Sequence, residues 1–240
     1  MPGMFHGFLA SLSSYFSTFA DLLTRYNVLG AFWMNIQLTL WAALGSLVLG
    51  IVLTLMRISP VSSLVRVGDG IVMFFKNMPL AIVMVFLLLG CFIQLQVQLP
   101  ASFNTNFYWL AITGLSLYTA PFVSESLMSG INTVPMGQAE AARSLGFGFF
   151  QSAFLIILPQ AIRGAIAPLG NTLIALLKNS TVAAAAGVAA ETSSLMNTMI
   201  QYNASSITQV FLLFALGYVI LIIPIGLATT YLSNKLAVRR

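Results

Sequence analysis

The chain has 240 residues, of which 59% are hydrophobic and only 6% are charged. A soluble domain of average composition has about 25% charged residues, so this sequence has too few polar groups to cover a surface that faces water. Composition therefore excludes a soluble globular protein and indicates an integral membrane protein.

The apolar residues occur in long continuous runs, which predict membrane-spanning helices rather than the alternating strands of a barrel. Each spanning helix needs roughly 20 mostly apolar residues. Five runs meet this requirement, and the predicted spans are residues 29–56, 71–95, 107–128, 160–177 and 207–233. We therefore expect an all-α membrane protein with about five transmembrane helices.

A different pattern precedes the first span. Apolar side chains recur at helical spacing over residues 5–23, and serines fall mostly on the opposite side. This pattern is typical of an amphipathic helix that lies on the membrane surface; the alternative is a disordered or lightly packed leader. The chain is accordingly divided into an N-terminal amphipathic segment, 1–28, and a five-helix transmembrane domain, 29–240.

The net charge of +5 comes from basic residues that punctuate the apolar runs. Such placement marks the cytoplasmic ends of spans and argues against nucleic-acid binding. With five spans, one face of the membrane collects eight of the ten basic residues: Arg57, Arg66, Lys76, Arg143, Arg163, Lys235, Arg239 and Arg240. The positive-inside rule then predicts an outside N-terminus, a cytoplasmic C-terminus and a cytoplasmic loop at about 132–159.

The sequence offers little for catalysis or metal binding. His6 is the only histidine and Cys91 the only cysteine, so neither a zinc site nor an internal disulfide is expected. An integral membrane enzyme would need a cluster of nucleophile, base or metal ligands, which these residues do not supply. No glycine-rich phosphate-binding loop is present. We therefore expect no metal, no cofactor and no catalytic activity in this chain.

One stretch, EAARSLGFGFFQSAFLIILPQ at 140–160, is unlike its surroundings. On a helix, Glu140 and Arg143 lie one turn apart and are expected to pair weakly. The two alanines between them keep the helix surface low, which allows a partner to approach closely. Gly146 is a natural helix terminator because it adopts the left-handed conformation at low cost. The pattern predicts a short helix and a turn that fit a groove on another protein.

The spacing in this stretch resembles the EAA loop of ABC importer permeases, whose coupling helix docks on a cytoplasmic ATP-binding subunit. Segments 116–146 and 158–191 resemble the polar amino acid subfamily in particular, and within it they are most similar to glutamate-type permeases. The resemblance implies the type I ABC importer fold. The residues it assigns to ATPase coupling are Glu140, Ala141, Ala142, Arg143, Gly146, Leu158 and Pro159.

The same resemblance implies partners. These are two ATP-binding subunits that bind ATP-Mg, a second permease subunit that is identical or homologous, and an extracytoplasmic substrate-binding protein. The expected function is the membrane-spanning subunit of an ATP-driven importer for a polar amino acid, with glutamate favoured, in the bacterial plasma membrane. The alternative is a small secondary transporter for a polar solute. It is disfavoured because no internal repeat is visible and few titratable groups are available to carry protons.

Candidate substrate-pathway residues are polar groups at membrane depth. Lys178 follows Arg163 by 15 residues, or about 22 Å of helix, which places it in the outer part of the membrane. There it either serves a function or extends to the headgroups. In the functional interpretation, Lys178 with Asn179 and Thr181 offers hydrogen-bond donors to a carboxylate.

Three further polar residues are candidates for the pathway. Glu125 is expected toward the cytoplasmic side, with Arg143 or Arg163 as its partner and without a direct ion pair to Lys178. Asn171 and Asn77 are expected to face protein or water rather than lipid. Hydrogen bonding between helices is the alternative role for both asparagines.

Overall fold

The computed structural model describes residues 17–236, and that range contains helices and no strand. A short helix at 17–25, α1, leads into the first long one. The further α-helices are α2 (Val28–Arg57), α3 (Ser62–Asn77), α4 (Leu80–Val85), α5 (Phe103–Ile131), α6 (Met136–Ser144), α7 (Phe149–Ser152), α8 (Leu158–Asn179), α9 (Thr192–Tyr202) and α10 (Ile207–Leu236). A π-helical segment, Phe86–Gln94, extends α4, another (Ala153–Ile157) joins α7 to α8, and a 3₁₀ segment (Ser180–Ala186) extends α8.

Three continuous helical stretches within the described range are long and apolar enough to cross a membrane: Val28–Arg57, Phe149–Ala186 and Ala204–Leu236. A fourth is obtained if the bent pair formed by α3 and by α4 with its π-helical extension counts as one span. The remaining predicted span, residues 107–128, corresponds to α5, whose 29 residues are long enough to cross a membrane at about 1.5 Å per residue. It is less apolar than the others because it lies inside the bundle rather than against lipid.

The centre of the bundle is α5, which packs against α2 on one side and α8 on the other. Glycines permit both close approaches. A Cβ at Gly50 of α2 would lie 2.5 Å from the Val123 side chain, and a Cβ at Gly130 of α5 would lie 2.0 Å from the carbonyl oxygen of Ala161. Small residues at crossings allow helices to pack closely in a membrane. The α2–α5–α8 unit is therefore the framework on which the other elements rest.

The second predicted span, residues 71–95, is wrong as a continuous helix. The chain turns by 101° between α3 and α4. Met78 has extended backbone angles, as expected for a residue before proline, and Pro79 precedes the first residue of α4. As a result, α3 is a separate helix that contacts α2 and α5, and Leu80–Gln94 forms the second arm of the bent pair.

The predicted amphipathic segment is only partly visible, because residues 1–16 lie outside the described range. In α1, Leu22 is 1% exposed and packs with Met199 of α9 and Phe214 of α10. Just after α1, the Tyr26 hydroxyl accepts a hydrogen bond from the Asn203 amide at 2.8 Å. The end of the segment is therefore docked on protein, and its position on the membrane surface stays a prediction.

Candidate functional site

The loop between α5 and α8 begins with the short helix α6, which ends in a Schellman motif. The Phe147 amide donates to the Ala142 carbonyl at 3.0 Å, and the Gly146 amide donates to the Arg143 carbonyl at 2.9 Å. Gly146 has a φ of 84°, in the left-handed region that glycine adopts without steric cost. The predicted terminator is therefore where the helix ends.

The loop is fixed to the base of α8 by a small set of contacts. Ala142 is the one buried residue of α6, and Leu158, at the start of α8, is 4% exposed. The Gln160 amide donates to the side chain of Gln138 on α6 and, at 2.8 Å, to the Ile156 carbonyl. These contacts hold α6 in a defined orientation on the end of the bundle.

The remaining predicted coupling residues lie at the surface. Glu140, Ala141, Arg143 and Pro159 are exposed. The expected pair between Glu140 and Arg143 is wrong: among residues 17–236, neither side chain has an ion-pair partner. Although the two lie only one helical turn apart, their charges do not neutralise each other, so both remain available to a second protein.

A cavity of about 380 Å³ lies between α5 and α8. It is lined by Tyr118, Thr119, Phe122, Asn171, Thr172, Ala175, Leu176 and Asn179. All these side chains are uncharged, and several carry hydroxyl or amide groups. Within the described residues, the Thr119 hydroxyl is buried without a hydrogen-bond partner, although buried polar groups in proteins are usually paired. The cavity therefore combines space with an unused hydrogen-bonding group, as a binding site for a polar molecule does.

The cavity continues along one open stripe of α5. Tyr118, Phe122, Glu125 and Ser129 are partly or fully exposed, whereas most of their neighbours on the helix are buried. Spacings of three and four residues place these side chains on one face of the helix. Because the stripe includes a carboxylate and two hydroxyl groups, it faces protein or water rather than lipid.

The six predicted pathway residues fall in different places. Asn171 and Asn179 line the cavity. Lys178 directly precedes Asn179 in the chain, is exposed, and has no ion-pair partner in the described part of the chain. Thr181 lines a second cavity, against α9 and α10. The Asn77 amide donates at 2.7 Å to the Met73 carbonyl of its own helix. The structure therefore brings two of the six, Asn171 and Asn179, into one cavity. The Thr181 hydroxyl donates to the Lys178 carbonyl at 2.8 Å, but its side chain belongs to the second cavity.

The sixth residue, Glu125, belongs to a four-charge cluster that the sequence alone did not reveal. Its carboxylate lies 2.8 Å from the Arg57 guanidinium and 3.2 Å from the Lys76 ammonium, so the predicted partners Arg143 and Arg163 are wrong. Arg57 also pairs with Asp69 at 2.8 Å and donates to the Ser124 hydroxyl at 3.3 Å. The cluster joins the end of α2 and one face of α3 to α5.

A second unpredicted feature is a buried polar network between α2, α9 and α10. The Asn35 amide donates to Ser180 at 2.8 Å and its oxygen accepts from the Thr192 amide at 2.9 Å. Glu191, fully buried, accepts from the backbone amides of Ser193 and Ser194 and so caps α9. This network fixes the connection after α8. No group of three or more metal-ligating side chains occurs within the described residues.

Comparison with known protein families gives one match over most of the chain. Residues 46–238 match the family described as binding-protein-dependent transport system inner membrane component. The match includes α5, the whole loop around α6, and α8. The residues that form the cavity and the loop thus lie within the matched region.

Comparison with individual proteins agrees. GluC, a glutamate transport system permease of Corynebacterium efficiens, is 47% identical over 219 residues, which are 89% of this chain and 96% of that protein. A chain in the crystal structure of an amino acid ABC transporter with histidines is 22% identical with a TM-score of 0.70, covering 94% of this chain and 97% of that one. A chain of the inward-facing MetNI methionine ABC transporter gives the same identity and TM-score, covering 90% and 97%. The likeness confirms the predicted fold.

Proposed function

Since this chain belongs to the family of binding-protein-dependent transport system inner membrane components, we propose that it is the permease subunit through which an ATP-driven importer carries glutamate. The family assignment confirms the resemblance to amino acid importer permeases and sets aside the small secondary transporter. Subunits of this kind are multi-pass membrane proteins without catalytic activity, and separate ATPase subunits hydrolyse ATP.

The observation that carries the choice of glutamate is the 47% identity to GluC over nearly the full length of both chains. A likeness of that extent includes every helix that lines the cavity. Lys178 supports an anionic cargo, because it is an exposed cation without an ion-pair partner among the described residues and directly precedes Asn179 of the lining. Attraction of an anion to a cation is strong where water is scarce.

The cavity between α5 and α8 supports a route for the cargo past this subunit. Asn171, Asn179 and Thr119 offer amide and hydroxyl groups to the amino and carboxylate groups of an amino acid. A second permease subunit, identical or homologous, completes the pathway by covering the open stripe of α5. We keep Lys178, Asn171, Asn179 and Glu125 as pathway residues and assign Thr181 and Asn77 to packing.

The loop around α6 supports docking of an ATP-binding subunit. Glu140, Ala141 and Arg143 are exposed on a helix that is held firmly against α8, so a push on α6 is transmitted to a helix that lines the cavity. The complex consists of two ATP-binding subunits that carry ATP-Mg, two permease subunits, and an extracytoplasmic binding protein that delivers the cargo.

The distribution of basic residues supports the orientation in the plasma membrane. In this orientation the N-terminus lies outside, and the loop and the C-terminus lie in the cytoplasm, because eight of the ten basic residues gather on that side. An accessibility test with single cysteines at Ser144 and Ser205 checks it, after Cys91 is replaced by serine. A membrane-impermeant thiol reagent applied to intact cells should label only the second position.

The function is tested by uptake. A strain without the gene should lose rapid uptake of radiolabelled glutamate and regain it on complementation, with unlabelled glutamate competing better than glutamine, arginine or histidine. A pull-down from native membranes in mild detergent should recover an ATP-binding subunit with the permease. Restored uptake of another amino acid, without glutamate, would contradict the cargo, and failure to recover an ATPase would contradict the assembly.

A further inference from the structure

Charged groups stand at the two ends of the uncharged cavity, and they differ in how they are paired. At the end marked by the lining residue Asn179, the preceding residue Lys178 is exposed and lacks an ion-pair partner in the described part of the chain. At the other end, Glu125 holds Arg57 and Lys76 at 2.8 and 3.2 Å. Thus one end has an unbalanced cation, and the other has cations that are neutralised.

The paired end is continuous with the cavity. Glu125 follows Phe122, a lining residue, by three positions on the same stripe of α5, and the Ser126 hydroxyl next to it lies 3.1 Å from that of Thr172, another lining residue. The side chains of Glu125 and Lys76 are each 39% exposed, whereas that of Arg57 is 15% exposed. A molecule that leaves the cavity along the stripe therefore meets Glu125 and Lys76.

The cluster contains two cations, Arg57 and Lys76, and two carboxylates, Asp69 and Glu125. Its formal charge is therefore zero. If the Glu125 carboxylate alone were removed, Lys76 would have no counter-ion, and Arg57 would keep only Asp69 as a counter-ion. A cation without its counter-ion attracts a nearby anion strongly where the effective dielectric constant is lower than that of water, so the cargo would be held there.

We propose that Glu125 is a specificity-determining residue that keeps the exit of the pathway electrically neutral, so that an anionic amino acid drawn in at Lys178 is released rather than held at Lys76 and Arg57. This inference rests on the proposed function. An anionic cargo is therefore attracted by the positive charge of Lys178 at the entrance and meets no net charge at the exit. In the proposed orientation, the exit is on the cytoplasmic side.

The test separates charge from mechanical attachment. Glu125→Met, Lys76→Met and the double variant are compared in the complete transporter, in cells without other uptake systems. Methionine approximates the length of both side chains but carries no charge and cannot tie α3 to α5 by an ion pair. Arg66→Met is the matched control, since Arg66 is an exposed cation of α3 without an ion-pair partner in the described range. Initial rates are measured for glutamate and for its neutral isostere glutamine.

Each single variant should lower glutamate uptake about tenfold and glutamine uptake far less, because each leaves one unbalanced charge at the exit. The double variant is neutral again and should return to within about threefold of wild type. Arg66→Met should stay near wild type. A double variant as impaired as the worse single, or equal losses for both amino acids, would overturn the proposal and make the cluster a structural tie. A wild-type complex that imports no amino acid would overturn the proposed function itself.

Discussion

The loop around α6 takes its shape from residues 135–147, which are neighbours in the sequence. The cavity instead brings together two segments that are about 50 positions apart in the chain: 118–122 of α5 and 171–179 of α8. In the loop, local hydrogen bonds and one left-handed glycine determine the structure. In the cavity, the helix crossing at Gly130 determines it. A local structure can be inferred from a sequence motif, but the place where two distant helices cross cannot. The first prediction concerns the loop, and the next three concern the cavity.

The largest effect is expected at Gly146. Gly146→Asp should leave the protein in the membrane but abolish uptake, because it adds a charge at the exposed turn of the loop on which we propose that the ATP-binding subunit docks. Backbone strain alone is modest, about 1–2 kcal/mol for a left-handed residue, and asparagine tolerates that conformation. Gly146→Asn, similar in shape but neutral, should therefore keep part of the activity. Initial glutamate uptake, normalised to permease in the membrane, measures both.

A matched control comes from the same helix. Gly137 of α6 also has open space where a Cβ would lie but no left-handed backbone, so Gly137→Ala should leave uptake near wild type. Normal uptake by Gly146→Asp would remove the coupling role of the turn. Loss of the protein from the membrane would show that the turn matters for folding instead.

The loop shows what sequence reasoning achieves. The position of Gly146 at the end of a helix follows from its residue type and spacing, and the all-helical membrane fold follows from the apolar runs. The break at Met78 and Pro79 falls inside the predicted span 71–95. The sequence does not reveal it, because a proline beside an apolar run is compatible with a slight kink as well as with a turn of about a right angle. The partners of Glu125 were missed because Arg57 and Lys76 reach it only after α3 folds back on α2 and α5.

The second prediction tests the crossing that forms the cavity. Gly130→Ala should destabilise the protein because the added Cβ would lie 2.0 Å from the Ala161 carbonyl oxygen, a backbone atom that cannot move away cheaply. Overpacking of this kind costs about 1–3 kcal/mol. The thermal midpoint of the detergent-solubilised permease should fall by several degrees. Gly70→Ala, where nothing lies within 4 Å of the new Cβ, should not lower it. Equal midpoints for the two variants would contradict the close crossing.

The third prediction concerns the unpaired cation at the cavity. Lys178→Met should reduce glutamate uptake about fivefold, a loss of roughly 1 kcal/mol of attraction, and should reduce the uptake of neutral amino acids less. The measurement is the ratio of initial rates for glutamate and glutamine in the same cells. Lys178→Arg keeps the cation and should retain most of the uptake. An equal loss for both amino acids would indicate a structural lysine that extends to the headgroups.

The smallest effect is expected at Thr119. Its hydroxyl is buried at the cavity and has no hydrogen-bond partner in the described range, so Thr119→Val removes a polar group that contributes no hydrogen bond to folding. Burial of an unpaired hydroxyl costs about 1–3 kcal/mol, and its removal should leave the thermal midpoint unchanged or raise it. Thr54→Val is the matched control, because the Thr54 hydroxyl donates to the Gly50 carbonyl at 2.7 Å and contacts Ser124, and it should lower the midpoint.

For glutamate uptake we expect the reverse: Thr119→Val should lower it more than Thr54→Val does. If the cargo uses the Thr119 hydroxyl, Thr119→Val lowers glutamate uptake about threefold while the fold gains stability, since one neutral hydrogen bond is worth about 0.5–1.5 kcal/mol. Thr54→Val lies away from the cavity and should change uptake only as far as it changes the amount of folded protein. A Thr119→Val protein that transports normally would show that the cavity is space between helices rather than part of the pathway. If Thr119→Val raises stability but lowers glutamate uptake, the hydroxyl serves to bind the cargo and not to stabilise the fold.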